Sequence, residues 1–146
     1  MKAVIQRVKY TRLSVDGKMI SEIGKGLTVY FGVEVGDDPT LCEYFAKKIA
    51  NMRIFEDENG KMNLSVKDIK GEILFVSQFT LLADCSHGNR PGFSFAEKPE
   101  RADELYRKCG ELIKQEGVPV KYGVFGADMK IDQMNDGPVT IILEKK

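Results

Sequence analysis

Residues 3–34, AVIQRVKYTRLSVDGKMISEIGKGLTVYFGVE, decide the fold. Within them, positions 4–8 alternate between two sets of side chains, as in a strand with two distinct faces. Asp16-Gly17 lies between two short strand-like segments and predicts a two-residue hairpin turn, because both central positions of such a turn need positive φ. Residues 27–34 are rich in β-branched and aromatic side chains, which predicts a buried strand. The chain therefore begins as a set of neighbouring strands.

Two later segments carry the apolar periodicity of helices. For the first, Asp38 is a candidate cap and Pro39 fits the first helical position. The second starts near Pro99, and Gly117 is its candidate C-terminal cap. Hairpins with two inserted helices, and no regular βαβ alternation, predict an α+β fold with a largely antiparallel sheet. We expect one domain spanning residues 1–146.

Further strands are expected in four segments: 53–64 (a hairpin turning at Asn59-Gly60), 73–82, 120–125 and 139–144. Of these, ILFVSQFTLL (73–82) is the most apolar. Under strict alternation, Ser77 and Phe79 share one face of this strand, and Gln78 and Thr80 share the other. The polar groups are either buried and bonded to neighbouring backbone, or they form a pocket floor from which Gln78 and Thr80 donate to a substrate.

Composition excludes several classes of protein. The 22 basic and 22 acidic side chains give zero formal net charge, which argues against broad coating of nucleic acid or an anionic membrane. The three cysteines are far apart and odd in number, so neither a disulfide framework nor a Cys-rich zinc site is expected. No apolar run approaches 18 residues and the N-terminus is charged, which favours a soluble cytoplasmic protein without a signal peptide.

Conventional catalytic residues are scarce. The single histidine, His87, follows Cys85 by two positions and suggests a thiol hydrolase, but such dyads usually form between distant parts of a chain, so a solvated loop is favoured. Gly24-Lys25-Gly26 lacks the spacing of a phosphate-binding loop, and no cluster of metal ligands is evident. We expect neither a metal nor a cofactor. Residues 87–93 are either a plain surface loop or, alternatively, a loop whose Arg90 contacts an anionic partner.

Several motifs together resemble the D-aminoacyl-tRNA deacylase family, in the same order along nearly the whole chain. They are AVIQRV (3–8), NMRIFEDENGKMNLS (51–65), SQFTLLAD (77–84), RPGFS (90–94), GVFGADM (123–129) and NDGPVTIIL (135–143). The resemblance implies hydrolysis of the ester that joins a D-amino acid, or mischarged glycine, to the 3′-terminal adenosine of tRNA. It also implies a barrel-like sheet with helices packed on it, and a homodimer whose active sites lie at the subunit interface.

The resemblance also implies roles for particular residues. Four consecutive residues are expected to line the catalytic site: Ser77, Gln78, Phe79 and Thr80. Phe125 and Met129 are expected to hold the terminal adenosine or border the pocket. The family's threonine is either a nucleophile or a group that positions the ester while the RNA's 2′-hydroxyl assists a water. Because Thr80 has no evident base beside it, the second view is favoured.

Selection of D-amino acids is expected to depend on Gly137-Pro138. By base rate an X-Pro bond is trans, since only about 5–6% are cis, yet the resemblance implies a cis bond that enters the partner subunit's pocket. Arg7 is expected to support this loop. Backbone at this point would exclude the side chain of an L-amino acid sterically. The alternative is a non-catalytic module of the same fold that binds aminoacyl-RNA.

Overall fold

The computed structural model describes residues 1–146. It contains, in chain order, β1 (Lys2–Val15), β2 (Lys18–Ile23), β3 (Gly26–Gly32), α1 (Leu41–Asn51), β4 (Phe55–Glu56), β5 (Met62–Leu64), β6 (Glu72–Ser77), a 3₁₀ turn (Phe79–Leu82), α2 (Pro99–Gln115), β7 (Val120–Tyr122) and β8 (Met129–Glu144). Neither helix is long and apolar enough to cross a membrane.

The main sheet is mixed and nearly closes into a barrel. One edge of β1 pairs with β8, while the other pairs first with β3 and then with β2, all antiparallel. The order continues from β3 to β6 and then β7, and these two pairings are parallel. The Ser21 hydroxyl donates to the Tyr122 carbonyl at 2.6 Å, which brings β2 close to β7 at the far edge. The predicted α+β, barrel-like fold is confirmed, and its parallel portion is an addition to the prediction.

Both helices pack on one aromatic core. Phe31 of β3 contacts Phe75 of β6 and Phe45 of α1, with ring centroids 5.1 and 5.5 Å apart. Tyr106 of α2 stacks on Phe75 at 5.0 Å. All four rings are buried. Because β3 and β6 are adjacent strands and each helix contributes one ring, this cluster fixes the helices over the ends of the two strands.

The turns and helix ends follow the sequence closely, with one correction. Asp16 and Gly17 have φ of 51° and 75°, so the predicted hairpin turn is confirmed. The first helix begins at Leu41, with Thr40 as its N-cap, and not at Pro39. Asp38 accepts from both the backbone N–H and the hydroxyl of Thr40, at 2.8 and 2.7 Å. These bonds form a separate turn before the helix. An Asp side chain that bonds the backbone of such a turn is not available to cap the helix.

The prediction of one strand over 73–82 is wrong beyond Ser77. The Gln78 N–H still donates to the Phe31 carbonyl at 2.8 Å, but residues 79–82 form a 3₁₀ turn. The alternation that placed Phe79 with Ser77 and Thr80 with Gln78 therefore fails, since it holds only in extended backbone. The final strand is also longer than the predicted strand over 139–144, because it begins at Met129 and runs to Glu144.

Candidate active site

A cavity of about 250 Å³ lies where the chain leaves β3 and β6, beneath the start of α2 and beside the segment that precedes β8. Its lining residues are Phe31, Gly32, Val33, Ser77, Gln78, Phe79, Ala102, Tyr106, Phe125, Gly126, Ala127, Asp128, Met129 and Ile131. Five residues expected at the site are among them: Ser77, Gln78, Phe79, Phe125 and Met129. Thr80, Gly137, Pro138 and Arg7 are not.

The Ser77–Thr80 segment forms one wall through the change from strand to 3₁₀ turn. Ser77 and Gln78 are half-buried, whereas Phe79 and Thr80 are exposed. The Gln78 side-chain amide donates to the Thr80 hydroxyl, so Thr80 is tied to the wall although it does not line the cavity. The first N–H groups of a helical turn have no partner within that turn, which leaves backbone donors at this wall.

The opposite wall is the segment from Gly123 to Met129. Gly126 has φ of 75°, in the region that favours glycine, and the Ala127 N–H closes a turn on the Val124 carbonyl at 3.1 Å. A Cβ at Gly123 would lie 2.7 Å from the sulfur of Met129. Glycine at position 123 therefore lets Met129 pack against the backbone and reach the cavity.

Tyr106 of α2 supports this second wall, although no sequence motif marks it as a site residue. Its hydroxyl donates to the Phe75 carbonyl at 2.6 Å, and its ring centroid lies 6.1 Å from that of Phe125. Burial raises the pKa of the Tyr106 phenol far above its ordinary value, so the group stays neutral. Phe31, Gly32 and Val33 were also missed, because the parallel pairing of β3 with β6 has no local sequence signal.

The Gly137-Pro138 segment bulges out of β8. Thr140 pairs with Gln6 and Asn135 pairs with Val8, so residues 136–139 all lie opposite the single residue Arg7. The Gly137-Pro138 bond is cis, against the base-rate expectation and in agreement with the resemblance. We name residues 136–139 the β8 loop.

Arg7 holds the β8 loop from behind. The guanidinium is buried, with only 6% of the residue exposed. Its Nε donates to the Asp136 carbonyl at 3.1 Å and lies 3.4 Å from the Asp136 carboxylate. Its Nη1 donates to the Ile54 carbonyl at 2.7 Å. A planar fork that bonds two backbone carbonyls restricts the loop in a way that a lysine would not.

The β8 loop does not line the cavity of the same chain. Ser77 pairs with Phe31, Phe31 with Ala3, and Ala3 with Leu143 of β8. The β8 loop lies opposite Arg7, which is four residues along β1 from Ala3, a distance of roughly 13 Å at the usual rise of a strand. The N-terminal end of β8 reaches the cavity through Met129 and Ile131, but the β8 loop does not. The structure thus brings the two walls of the cavity together, but not the loop expected to complete it.

The sequence pair Cys85 and His87 does not form a dyad in the structure. His87 Nδ1 lies 2.8 Å from the Ser86 hydroxyl, and Cys85 is exposed on the same loop. No group of three or more His, Cys, Asp or Glu side chains is placed to hold a metal ion.

Comparison with known proteins identifies the family. A family model described as D-Tyr-tRNA(Tyr) deacylase matches residues 4–144. The chain belongs to this deacylase family. A D-aminoacyl-tRNA deacylase from Persephonella marina is 56% identical over 146 residues, which cover 100% of this chain and 99% of the relative. One from Geotalea daltonii is 54% identical over 144 residues, covering 99% and 96% respectively.

Solved structures agree with the deacylase family fold. The c-Myc DNA Unwinding Element Binding Protein superposes with a TM-score of 0.93 at 43% identity, covering 100% of this chain and 99% of that one. A probable eukaryotic D-amino acid tRNA deacylase superposes with a TM-score of 0.83 at 17% identity, over 97% of both chains. The second likeness concerns the fold alone.

Proposed function

We propose that this protein hydrolyses the ester bond between a D-amino acid and the 3′-terminal adenosine of tRNA, and also acts on mischarged glycine. Membership of the deacylase family supports the reaction class. The observation that carries the proposal is the cavity between the Ser77–Phe79 wall and the Phe125–Met129 wall. Since tRNA is charged in the cytoplasm, we propose that the protein acts there, without metal or cofactor.

The proposed mechanism positions the ester for attack by water. Thr80 is bonded to the neutral amide of Gln78, which is no base, and an unactivated hydroxyl is a weak nucleophile. Water, assisted by the 2′-hydroxyl of the adenosine, bonds to the carbonyl carbon as the carbon–oxygen bond to the ribose 3′-oxygen breaks. The ribose 3′-oxygen then takes the proton that the attacking water loses. Backbone N–H groups of the Ser77–Thr80 wall stabilise the developing oxyanion, an effect worth about 3–4 kcal/mol per donor in a well-ordered site.

Chiral selection is assigned in this proposal to the β8 loop of a second copy of the chain. Its backbone would face the substrate's α-amino group and Cα. A D-amino acid then directs its side chain to solvent, whereas an L-amino acid drives it into backbone, and glycine has no side chain to exclude. Two observations support this role. Arg7 fixes the base of the loop, and a Cβ at Gly137 would meet nothing within 4 Å in its own chain, so the tip is open to another molecule.

A homodimer with active sites at the interface follows from the same proposal. The β8 loop does not line the cavity of its own chain and lies roughly 13 Å along the sheet from the row of residues that contains Ser77, so a second copy would supply the loop to the cavity. β8 lies at an edge of the sheet and exposes apolar side chains, with Met134 at 48% and Ile142 at 69% exposure. Such side chains suit burial against another copy of β8.

The decisive assay compares D-aminoacyl-tRNA, its L-isomer and glycyl-tRNA as substrates of the purified protein. We expect release of free tRNA from the D-isomer and from glycyl-tRNA, and no measurable release from the L-isomer. Binding of the D-isomer without hydrolysis would support the non-catalytic module instead. Equal hydrolysis of both isomers would contradict the proposed chiral selection.

A mixed dimer tests the cross-subunit arrangement. One subunit carries a cavity substitution, Gly32→Ala, and the other a loop substitution, Gly137→Ala. If the loop acts across the interface, one of the two sites in the mixed dimer combines an intact cavity with an intact loop. The mixed dimer should then recover about half of wild-type activity, while each parental homodimer stays impaired. Activity equal to the mean of the two parents would place loop and cavity in the same subunit.

A further inference from the structure

Two exposed aromatic rings lie at the mouth of the cavity. Phe79 lines the cavity, yet 57% of it is exposed. Its ring contacts that of Phe93, with centroids 5.1 Å apart and planes at 70°, and Phe93 is itself 40% exposed although it does not line the cavity. Contiguous exposed apolar surface, unlike a single scattered residue, marks interaction sites. Phe79 and Phe93 together form an apolar surface that continues from the mouth of the cavity onto the outside of the protein.

The loop before Phe93 adds a positive charge to this surface. Asp84 and Gly92 exchange two backbone hydrogen bonds, at 2.8 and 2.9 Å, which close the loop and fix the position of Phe93 directly after it. Arg90 lies within the loop, is exposed, and takes part in none of the structure's ion pairs. Its guanidinium is therefore available to an anion.

We propose that Phe79 and Phe93 form a stacking platform for the base of the nucleotide that precedes the terminal adenosine, with Arg90 at the adjoining phosphate. This inference rests on the proposed function, which puts the terminal adenosine in the cavity. Exposed aromatic faces beside a cation are the means by which proteins hold single-stranded RNA. The platform supplies tRNA affinity locally, which a chain of zero net charge cannot obtain from a general electrostatic field.

An RNA strand fits this surface better than a second copy of the chain. Phe79 belongs to the cavity wall and to the platform at once, so a substrate held in the cavity continues directly over Phe93. Arg90, with no carboxylate partner, complements a phosphate and would be costly to bury in an apolar subunit contact. The apolar side chains proposed for subunit contact lie on β8 instead.

The test compares a D-aminoacyl-tRNA with the corresponding D-aminoacyl-adenosine, which has no preceding nucleotide. For Phe93→Ala, kcat/KM should fall about tenfold on the tRNA, because the base loses the aromatic face on which it stacks. On the adenosine ester it should be unchanged. Phe93→Tyr, which keeps an aromatic face, should restore the tRNA rate. Met19→Ala, at an exposed apolar residue of β2, is the matched control and should change neither rate.

Other outcomes overturn the platform. Equal losses on both substrates would make Phe93 a part of the cavity's structure, and no loss on tRNA would leave the platform without a ligand. A lower molar mass for Phe93→Ala in light scattering would identify the surface as a contact between copies. If the wild-type protein hydrolyses neither substrate, the proposed function itself fails and the platform falls with it.

Discussion

The sheet is interrupted at two places, the 3₁₀ turn that follows β6 and the β8 loop, and the two differ in what surrounds them. Where β6 turns into the 3₁₀ segment, the chain is crowded: a Cβ at Gly32 would lie 2.4 Å from the Leu82 side chain and 2.9 Å from the Gln78 carbonyl. In the β8 loop, a Cβ at Gly137 would meet nothing within 4 Å. The cavity wall is thus shaped by its own chain, whereas the tip of the loop is open to whatever lies outside it.

The base of the β8 loop is not open, however. Arg7 is buried and bonds the carbonyls of Asp136 and Ile54 behind the loop. The proposed steric filter needs a loop that is rigidly held at its base and unobstructed at its tip. A loop that moved would yield to the side chain of an L-amino acid. The contrast between the two regions therefore predicts different mutational behaviour at Gly32, at Gly137 and at the anchor.

The largest effect is expected at the anchor. Arg7→Lys keeps the charge but loses the fork, so at least one buried carbonyl is left without a partner. We expect a loss of about 1–3 kcal/mol in the free energy of unfolding. Displacement of the loop by about 1 Å should lower kcat/KM on a D-aminoacyl-tRNA on the order of 100-fold. Urea denaturation and deacylation assays measure the two effects.

Arg12→Lys is the matched control for the anchor. Arg12 lies on the same strand but is about half exposed, and it pairs with Glu22 at 3.1 Å on the surface. Surface pairs contribute little, so both measurements should stay close to wild type. If Arg7→Lys were as harmless as Arg12→Lys, the β8 loop would not depend on its buried anchor.

At the cavity wall, Gly32→Ala should affect both stability and activity. The added methyl group overlaps Leu82 and the Gln78 backbone, which costs about 1–3 kcal/mol of stability by overpacking. Since Gln78 must shift, kcat/KM should fall tenfold or more. A melting temperature equal to that of wild type, with full activity, would show that the 3₁₀ turn adapts freely.

Sequence reasoning reached some of these features and not others, for physical reasons. The Asp16-Gly17 turn and the helix from Pro99 follow from local backbone preferences, so they were predictable. The exit of the chain at Gln78 was not, because it depends on Leu82 packing over Gly32 of another strand. The walls of the site were found through a family resemblance, and neither alternation nor spacing would have joined residues 77–79 to 125–129.

The β8 loop should behave differently from the cavity wall. For Gly137→Ala we expect an unchanged free energy of unfolding for the protomer, because the methyl group meets nothing in its own chain. We expect kcat/KM on a D-aminoacyl-tRNA to fall about tenfold if the loop tip faces a substrate in another subunit. Comparing the stability and activity of Gly137→Ala with those of Gly32→Ala tests the contrast directly. Equal destabilisation by the two substitutions would contradict the contrast between a crowded cavity wall and an open loop tip.

A smaller effect is expected at Thr80. Its hydroxyl accepts from the Gln78 amide, and removal of one such hydrogen bond costs about 1 kcal/mol, or roughly fivefold in rate if Gln78 positions the ester. Thr80→Ala should therefore retain measurable activity, and Thr80→Ser should be close to wild type. Mass spectrometry of the wild-type protein, quenched during turnover, should detect no aminoacyl group on Thr80. Detection of that adduct would make Thr80 a nucleophile.

The smallest effect is expected at Cys85, which lies outside both regions. The exposed thiol makes no hydrogen bond to His87, whose Nδ1 lies 2.8 Å from the Ser86 hydroxyl instead. The loop's closure depends on backbone bonds between Asp84 and Gly92, which a side-chain truncation leaves intact. Cys85→Ala should thus change kcat/KM on a D-aminoacyl-tRNA by less than about twofold, as surface substitutions away from a site usually do. Abolished hydrolysis in this variant would move the chemistry from the cavity to a thiol, and the contrast between wall and loop would then have no bearing on catalysis.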